Sequence, residues 1–198
     1  GPKGDYKDLS REQIIEIIKE AGIVGMGGAG FPTFIKLSPP PEKKIDSIIV
    51  NGAECEPYLT SDYRVMLEET DRVVTGLKII LKLFPEAKGY IAVEDNKMEA
   101  VKALLEETKN IDNIEVKLVK TKYPQGAEKQ LIYAVTKREV PSGGLPADVA
   151  CIVQNIDTVV AIHRAIVRGR PLMRRIVTVS GGAVKDPKNF KVKIGTSY

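Results

Sequence analysis

The feature that most constrains the fold of this chain is the repeated alternation of short apolar runs with longer segments of helical periodicity. Each apolar run of strand length is followed by a segment in which apolar residues recur every three or four positions. Such alternation is typical of a parallel sheet covered by helices on both faces. Ligands on these sheets bind beyond the carboxyl ends of the strands, so the segments that follow the strands are the first candidates for a functional site.

We predict an α/β fold with a Rossmann-like parallel sheet and helices on both faces, preceded by a helix and a glycine-rich loop. The first helix begins at the capping-box pattern Ser10-Arg11-Glu12-Gln13 and ends at Gly22. The predicted strands are Ile45 to Val50, Gly89 to Val93, Ile114 to Val119 and Val149 to Val153, and the predicted helices are Asp62 to Leu83, Lys97 to Thr108, Gly126 to Thr136 and Asn155 to Arg168. The proline-rich stretch from Ser38 to Lys44 is predicted to be a surface loop.

Composition and charge argue against several functional classes. The chain has 198 residues, of which 43% are apolar and 28% charged, and its net charge is +4. Lysines are interspersed with glutamates along most of the chain, whereas a nucleic-acid binder concentrates basic residues on one face, so nucleic acid is not an expected partner. Cys55 and Cys151 lie far apart and lack the spacing of a disulfide framework or a metal site. No apolar run approaches the ~20 residues of a membrane span, and the polar start is not a signal peptide, so we expect a cytoplasmic location.

The densest functional signal is the segment from Gly25 to Thr33, which contains Gly25, Gly27, Gly28 and Gly30. Missing side chains let a backbone pass close to a planar or phosphorylated ligand. The segment contains Gly-x-Gly-x-x-Gly, but it follows a helix and not a strand, so it is not an ordinary dinucleotide fingerprint. Lys36, just beyond it, could contact a phosphate. A flexible loop with a solvated lysine is the plain structural alternative.

Three further candidate segments follow predicted strands. They are Asn51 to Pro57, Tyr123 to Gln130 and the pair Gln154-Asn155. The first offers an amide and carboxylates that can hydrogen-bond a flavin edge or ribose hydroxyls. The second opens a helix with Gly126, which permits close approach by a phosphate or flavin oxygen. Solvent-facing carboxylates and plain strand-to-helix turns are the structural alternatives here.

Together these segments resemble the family that includes the NADH-binding flavoprotein subunit of respiratory complex I and the C subunit of the bacterial Rnf complexes. The motifs Asn-Gly-Ala-Glu-Cys-Glu-Pro-Tyr-Leu-Thr from Asn51 and Tyr-Pro-Gln-Gly-Ala-Glu-Lys-Gln-Leu from Tyr123 are similar to the Rnf branch. The ordered motifs spread over more than half of the chain. The resemblance implies FMN and NAD(H) as cofactors, with hydride passing from NADH to FMN. The protein would then supply geometry, with no catalytic acid or base and no metal ligand.

The resemblance also implies which residues would contact each cofactor. Those expected to face FMN are Gly25, Gly27, Lys36, Asn51, Glu54, Tyr123, Gly126, Gln154 and Asn155, and those expected to face NADH are Gly28, Ala29, Phe31, Glu56 and Glu128, with Gly30 completing the glycine loop. Met26, Ala53, Ala127 and Phe34 depart from the pattern of the complex I subunit.

The resemblance further implies a larger protein. Residues 1–175 would form the FMN/NADH-binding α/β domain, and residues 176–198 would begin a truncated β-grasp-like domain, followed in the family by a domain with two 4Fe–4S clusters. The expected function is that of an NADH:acceptor oxidoreductase subunit in a membrane electron-transport complex, an ion-translocating ferredoxin:NAD oxidoreductase, peripheral on the cytoplasmic face of the bacterial inner membrane. A cobalamin-reducing flavoprotein of the same family and a scaffold domain that has lost its cofactor are the open alternatives.

Overall fold

The computed structural model describes residues 5–197, which form a four-stranded sheet and a separate two-stranded sheet. The strands of the first sheet are β1 (Ser47–Gly52), β2 (Lys88–Glu94), β3 (Ile114–Val119) and β4 (Cys151–Asn155), in the spatial order β3-β2-β1-β4. All neighbouring pairs are parallel, which confirms the predicted fold class. β1 and β4 begin and end later along the chain than predicted, so Asn51 and Asn155 belong to the strands themselves.

The helices largely follow the predicted pattern. They are α1 (Arg11–Glu20), α2 (Thr33–Lys36), α3 (Ser61–Glu68), α4 (Thr70–Leu83), α5 (Met98–Thr108), α6 (Glu128–Thr136) and α7 (Ile156–Arg168). The capping box forms at the start of α1, where Ser10 N–H donates to Gln13 Oε1 at 2.8 Å and Gln13 N–H donates to Ser10 Oγ at 3.3 Å. Within residues 5–197 no helix combines the length and apolarity needed to cross a membrane.

The single helix predicted from Asp62 to Leu83 is wrong, because the structure divides it into α3 and α4. The break lies at Glu69, whose backbone angles (φ −133°, ψ 32°) are outside the helical region. The Glu69 carboxylate pairs with Arg72 at 2.6 Å and with Arg164 of α7 at 2.5 Å. Contact with a distant helix accompanies this break, and no glycine or proline in the local sequence marks it.

Helices cover the two faces of the sheet unequally. On one face, Ile48, Val50 and Ile91 join the larger core cluster with residues of α1, α3, α4, α5 and α7. On the other face, Ile49 and Val153 belong to a smaller cluster that includes residues of α6. α6 starts at Glu128. The segment before it, residues 123–127, therefore lies beside the carboxyl ends of β1 and β4.

After α7 the chain leaves the sheet and forms an antiparallel hairpin of β5 (Arg174–Val179) and β6 (Lys188–Lys193). Leu172 N–H donates to the Ala21 carbonyl at 2.9 Å, just before the hairpin. In the hairpin itself, Asn189 Nδ2 donates to Thr60 Oγ1 at 3.0 Å. Ile176 packs against the larger core cluster. The hairpin therefore docks on the α/β unit near the start of α3.

Candidate cofactor site

Two adjoining cavities lie at the carboxyl ends of β1 and β4, where Asn51 and Asn155 are paired across the sheet. Their volumes are about 430 Å³ and about 350 Å³. Cofactor sites usually occupy roughly 300–1,000 Å³. We call the larger one, which β5 also lines, the hairpin-side cavity. The smaller one, lined by Lys36 and Tyr123, is the loop-side cavity.

Every residue predicted for the site lines one of these two cavities. Gly27, Asn51, Glu56, Gly126 and Asn155 line both, Gly28 and Glu54 line the hairpin-side cavity, and Gly25, Ala29, Gly30, Phe31, Lys36, Tyr123, Glu128 and Gln154 line the loop-side cavity. The fold thus brings together segments that are far apart in sequence. Which ligand each residue contacts stays a prediction.

The glycine loop is a turn closed at its base. Val24 and Pro32 form an isolated antiparallel bridge, and Gly25 N–H donates to the Phe31 carbonyl at 2.8 Å. Gly28 has a φ of +127°, a conformation that side chains other than hydrogen strongly disfavour. The tip, residues 27–31, is exposed. The backbone of the tip is therefore open to a ligand, while its ends are fixed.

Met26 fixes the loop from inside the protein. Its N–H donates to Thr158 Oγ1 of α7 at 3.0 Å, and its carbonyl accepts from Arg175 Nη2 of β5 at 2.7 Å. The Met26 side chain is buried in the larger core cluster. Met26 thus anchors the glycine loop to α7 and β5.

Asn51 joins the end of β1 to the segment that precedes α6. Its Nδ2 donates to the Gly126 carbonyl at 2.8 Å, and its Oδ1 accepts from Ala53 N–H at 3.1 Å. A Cβ atom added at Gly126 would overlap the carbonyl oxygen of Ala53. The close packing of these two segments therefore requires a glycine at this position, a reason that sequence reasoning did not find.

Glu54 and Asn155 cap the helices that begin at the site. Glu54 Oε1 accepts from Asp62 N–H at 2.9 Å and its Oε2 from Tyr63 N–H at 3.3 Å, at the start of α3. Asn155 Oδ1 accepts from Asp157 N–H at 2.9 Å, at the start of α7. Its Nδ2 donates to Asp62 Oδ2 at 2.7 Å. The free N–H groups of a helix start favour such oxygen acceptors, which explains why a nearly buried glutamate is tolerated here.

Asp62 is a half-buried carboxyl in the wall of the hairpin-side cavity. Burial and the negative charge of Glu54 raise its pKa to about 7, although the hydrogen bond from Asn155 acts in the opposite direction. Asp157 and Glu56 add further repulsion. The carboxyl can therefore gain or lose a proton near neutral pH. Sequence reasoning missed this residue because an aspartate in the first turn of a helix is ordinary.

We expect Asp62→Asn to remove a pH-dependent part of the stability of the protein without cofactor. The raised pKa means that the folded state holds this proton more tightly than the unfolded state, so wild-type stability falls as pH rises from about 4 through about 7. The variant should gain about 1–2 kcal/mol over the wild type across that range, less than the full pKa shift because the carboxyl borders an open cavity.

Urea unfolding at several pH values between 4.5 and 8 would measure this difference. Asp71→Asn is a matched control, because Asp71 is an exposed aspartate in the first turn of α4. A stability difference between Asp62→Asn and the wild type that is constant over this pH range would contradict the expectation.

A salt bridge and two aromatic rings line the loop-side cavity. Lys36 Nζ at the end of α2 pairs with Glu128 Oε1 in the first turn of α6 at 2.6 Å. Phe31 is 50% exposed and Tyr123 is 77% exposed, so both rings are free to stack on a flat ligand. Gln154 is buried, and its Nε2 has no hydrogen-bond partner among residues 5–197. A buried donor of this kind in a cavity wall is a place where a ligand oxygen would complete the hydrogen bonding.

The hairpin-side cavity also contains residues that sequence reasoning did not assign. Leu59 precedes α3, Ser61 and Asp62 lie in its first turn, and residues 175–178 come from β5. The position of the first group soon after β1 was a usable signal. β5 reaches the cavity only through tertiary packing, which no local pattern indicates. In the part of the chain that the structure describes, no cluster of His, Cys, Asp and Glu side chains could hold a metal ion.

The glycine loop and the cavities at the carboxyl edge of a parallel sheet form a candidate nucleotide-cofactor site in a protein of the α/β class. The chain superposes on a chain of an NAD⁺-reducing [NiFe]-hydrogenase in the air-oxidised state with a TM-score of 0.81 and 20% identity, covering 94% of this chain and 37% of that one. In the H₂-reduced state the TM-score is 0.77 at the same identity. These structures share the fold of this chain.

The family described as the Nuo51 FMN-binding domain matches residues 18–164, so the chain belongs to this family. The C subunit of the proton-translocating ferredoxin:NAD⁺ oxidoreductase complex of Clostridium ljungdahlii is 56% identical over 98% of this chain and 42% of its own length. The C subunit of the Na⁺-translocating complex of Acetobacterium woodii is 47% identical over 100% of this chain and 44% of its own length. The predicted resemblance is thus confirmed, and the chain spans less than half of the length of these relatives.

Proposed function

We propose that this domain binds FMN and receives electrons from NADH, as part of an ion-translocating ferredoxin:NAD oxidoreductase complex. The observation that carries the proposal is the convergence of four separate segments on two adjoining cavities at the sheet edge. The family match supports FMN as the cofactor, and the names of the relatives support the kind of complex.

The residues proposed to face FMN fit its phosphate and its ring in different ways. Lys36 supplies a cation for the phosphate, and the unpaired Nε2 of Gln154 supplies a donor for a ring oxygen. Gly27 presents exposed backbone, Gly25 is partly exposed beside it, and Tyr123 presents an exposed ring. Asn51, Glu54, Gly126 and Asn155 contribute chiefly by holding the cavity walls in place, because their polar groups are engaged with the protein. When bound, FMN supplies a ring system that accepts a hydride.

The residues proposed to face NADH surround the exposed side of the glycine loop. Gly28 and Ala29 leave space for the nicotinamide nucleotide, and the half-exposed ring of Phe31 can stack on its adenine. The carboxylates of Glu56 and Glu128 can accept hydrogen bonds from ribose hydroxyls. In this arrangement the protein orients the two cofactors, and no side chain needs to act as an acid or a base.

The proposal extends to parts of the protein outside the α/β unit. The β-grasp-like domain predicted for residues 176–198 would include the β5–β6 hairpin, whose first strand starts slightly earlier, at Arg174, and the greater length of the relatives leaves room for a further domain with 4Fe–4S clusters. The whole protein would then pass electrons from the flavin to partner subunits while lying on the cytoplasmic face of the bacterial membrane.

The purified chain is expected to bind FMN in preference to FAD. The glycine segments suit one phosphate, and the sequence contains no second, strand-linked nucleotide fingerprint. We expect the Kd for FMN to be at least about tenfold below that for FAD, which corresponds to about 1.4 kcal/mol. Titration of each flavin, followed by flavin fluorescence, would measure both constants. Tighter binding of FAD, or binding of neither flavin under oxidising and reducing conditions, would contradict the proposal.

A further inference from the structure

We propose that Glu128 competes with the phosphate of FMN for Lys36, so that binding of the phosphate frees the Glu128 carboxylate for the second nucleotide. This inference rests on the proposed function. It starts from the salt bridge that joins Lys36 Nζ to Glu128 Oε1 at 2.6 Å across the loop-side cavity. The side chain proposed to bind the FMN phosphate is thus paired with a side chain proposed to bind NADH.

The composition of the cavity wall makes this competition unavoidable. Lys36 is the one cationic side chain among the described residues that line the loop-side cavity, whereas Glu56 and Glu128 both bring carboxylates to it. Within residues 5–197, Lys36 and Glu128 make their only salt bridge with each other. For a phosphate that enters this cavity, the cationic side chain available is therefore one that is already paired with Glu128.

The pair is weak enough to be exchanged. The side chain of Lys36 is 29% exposed and that of Glu128 is 40% exposed. Salt bridges this open to water change an equilibrium constant by only about two- to fivefold. A phosphate carries more negative charge than a carboxylate and accepts several hydrogen bonds, so it is the stronger partner for the ammonium group.

Release of Glu128 has a consequence for binding of the second nucleotide. Its carboxylate lies in the first turn of α6, where the helix start stabilises it without Lys36. Once free, both oxygens can accept hydrogen bonds from sugar hydroxyls. Binding of FMN therefore prepares the acceptor for NADH, and by linkage each ligand strengthens the binding of the other.

The experiment compares FMN with riboflavin, which has the same ring but no phosphate, in titrations of the chain without cofactor. Glu128→Gln removes the competing charge and preserves the size of the side chain. We expect this variant to lower the Kd for FMN by about two- to fivefold and to leave the Kd for riboflavin unchanged. Lys36→Gln should weaken FMN alone, and adding Glu128→Gln to Lys36→Gln should give no gain.

Glu99→Gln is the matched control, because Glu99 is an exposed glutamate in the first turn of α5. It should leave both constants as in the wild type. Equal tightening of FMN and riboflavin by Glu128→Gln, or no tightening of FMN, would overturn the competition and leave the proposed function standing. A wild-type chain that binds neither flavin would overturn both.

Discussion

Gly28→Val is expected to abolish the reduction of bound FMN by NADH while much of the affinity for FMN survives. Gly28 has a φ of +127°, which a β-branched residue adopts only with strain. No atom lies within 4 Å of the position of an added Cβ, so the valine would meet no clash in the protein and would add bulk at the wall of the hairpin-side cavity. Hydride transfer needs the donor and acceptor atoms within roughly 3–3.5 Å, and a displacement of about 1 Å can cost on the order of 10²-fold in rate.

A valine substitution at a second glycine serves as a control that separates the loss of NADH reactivity from the effect of backbone strain. Gly181, in the turn between β5 and β6, has a φ of +136° and likewise has no atom within 4 Å of an added Cβ. Gly181→Val should therefore carry a comparable strain, and its bound FMN should be reduced at the wild-type rate. Stopped-flow reduction by NADH would measure the rates, with dithionite reduction as the measure of flavin content. If Gly28→Val and the wild type are reduced equally fast by NADH, the glycine loop is not the nicotinamide platform.

Gly126→Ala is expected to weaken FMN binding about ten- to hundredfold and to lower the free energy of unfolding by about 1–3 kcal/mol. The added methyl group would overlap the carbonyl oxygen of Ala53, so one of the two segments must move. Movement of either segment strains or breaks the hydrogen bond from Asn51 to the Gly126 carbonyl. Both of these residues line both cavities.

The matched control for this substitution is Gly182→Ala. An added Cβ at Gly182 meets no atom within 4 Å, so the same change of residue type occurs without overlap. Urea unfolding and FMN titration of the two variants would give both quantities. Wild-type affinity and stability in Gly126→Ala would show that the two segments can separate freely, contrary to the packing described here.

The fold was predictable because strand and helix periodicities are local properties of the chain. The ends of the strands were harder to predict, and Asn51 and Asn155 show why. Both are polar, so they read as the beginning of loops, yet the backbone ladder continues through them. The division between α3 and α4 was not predictable either, because Glu69 meets Arg164 only when α7 is in place.

The sequence predicted which segments form the candidate site, but not what each of their residues does within it. A parallel sheet gathers the segments that follow its strands at one edge, so their convergence follows from topology. Roles depend on neighbours that are distant in sequence. Gly126 is explained by the Ala53 carbonyl, and the raised pKa of Asp62 by burial and the charge of Glu54. Neither neighbour can be recognised from spacing or composition.

The hydrogen bond from Arg175 to the Met26 carbonyl limits where this protein can be divided into independent units. Arg175 lies on β5, which pairs along its length with β6 up to Lys193. A boundary drawn at residue 175 would therefore remove the strand pairing that positions Arg175 to bind the glycine loop, although it would leave the four-stranded sheet and its helices intact. A piece of this protein that keeps all the residues lining the two cavities, for fusion or transplantation, must include the hairpin together with the α/β unit.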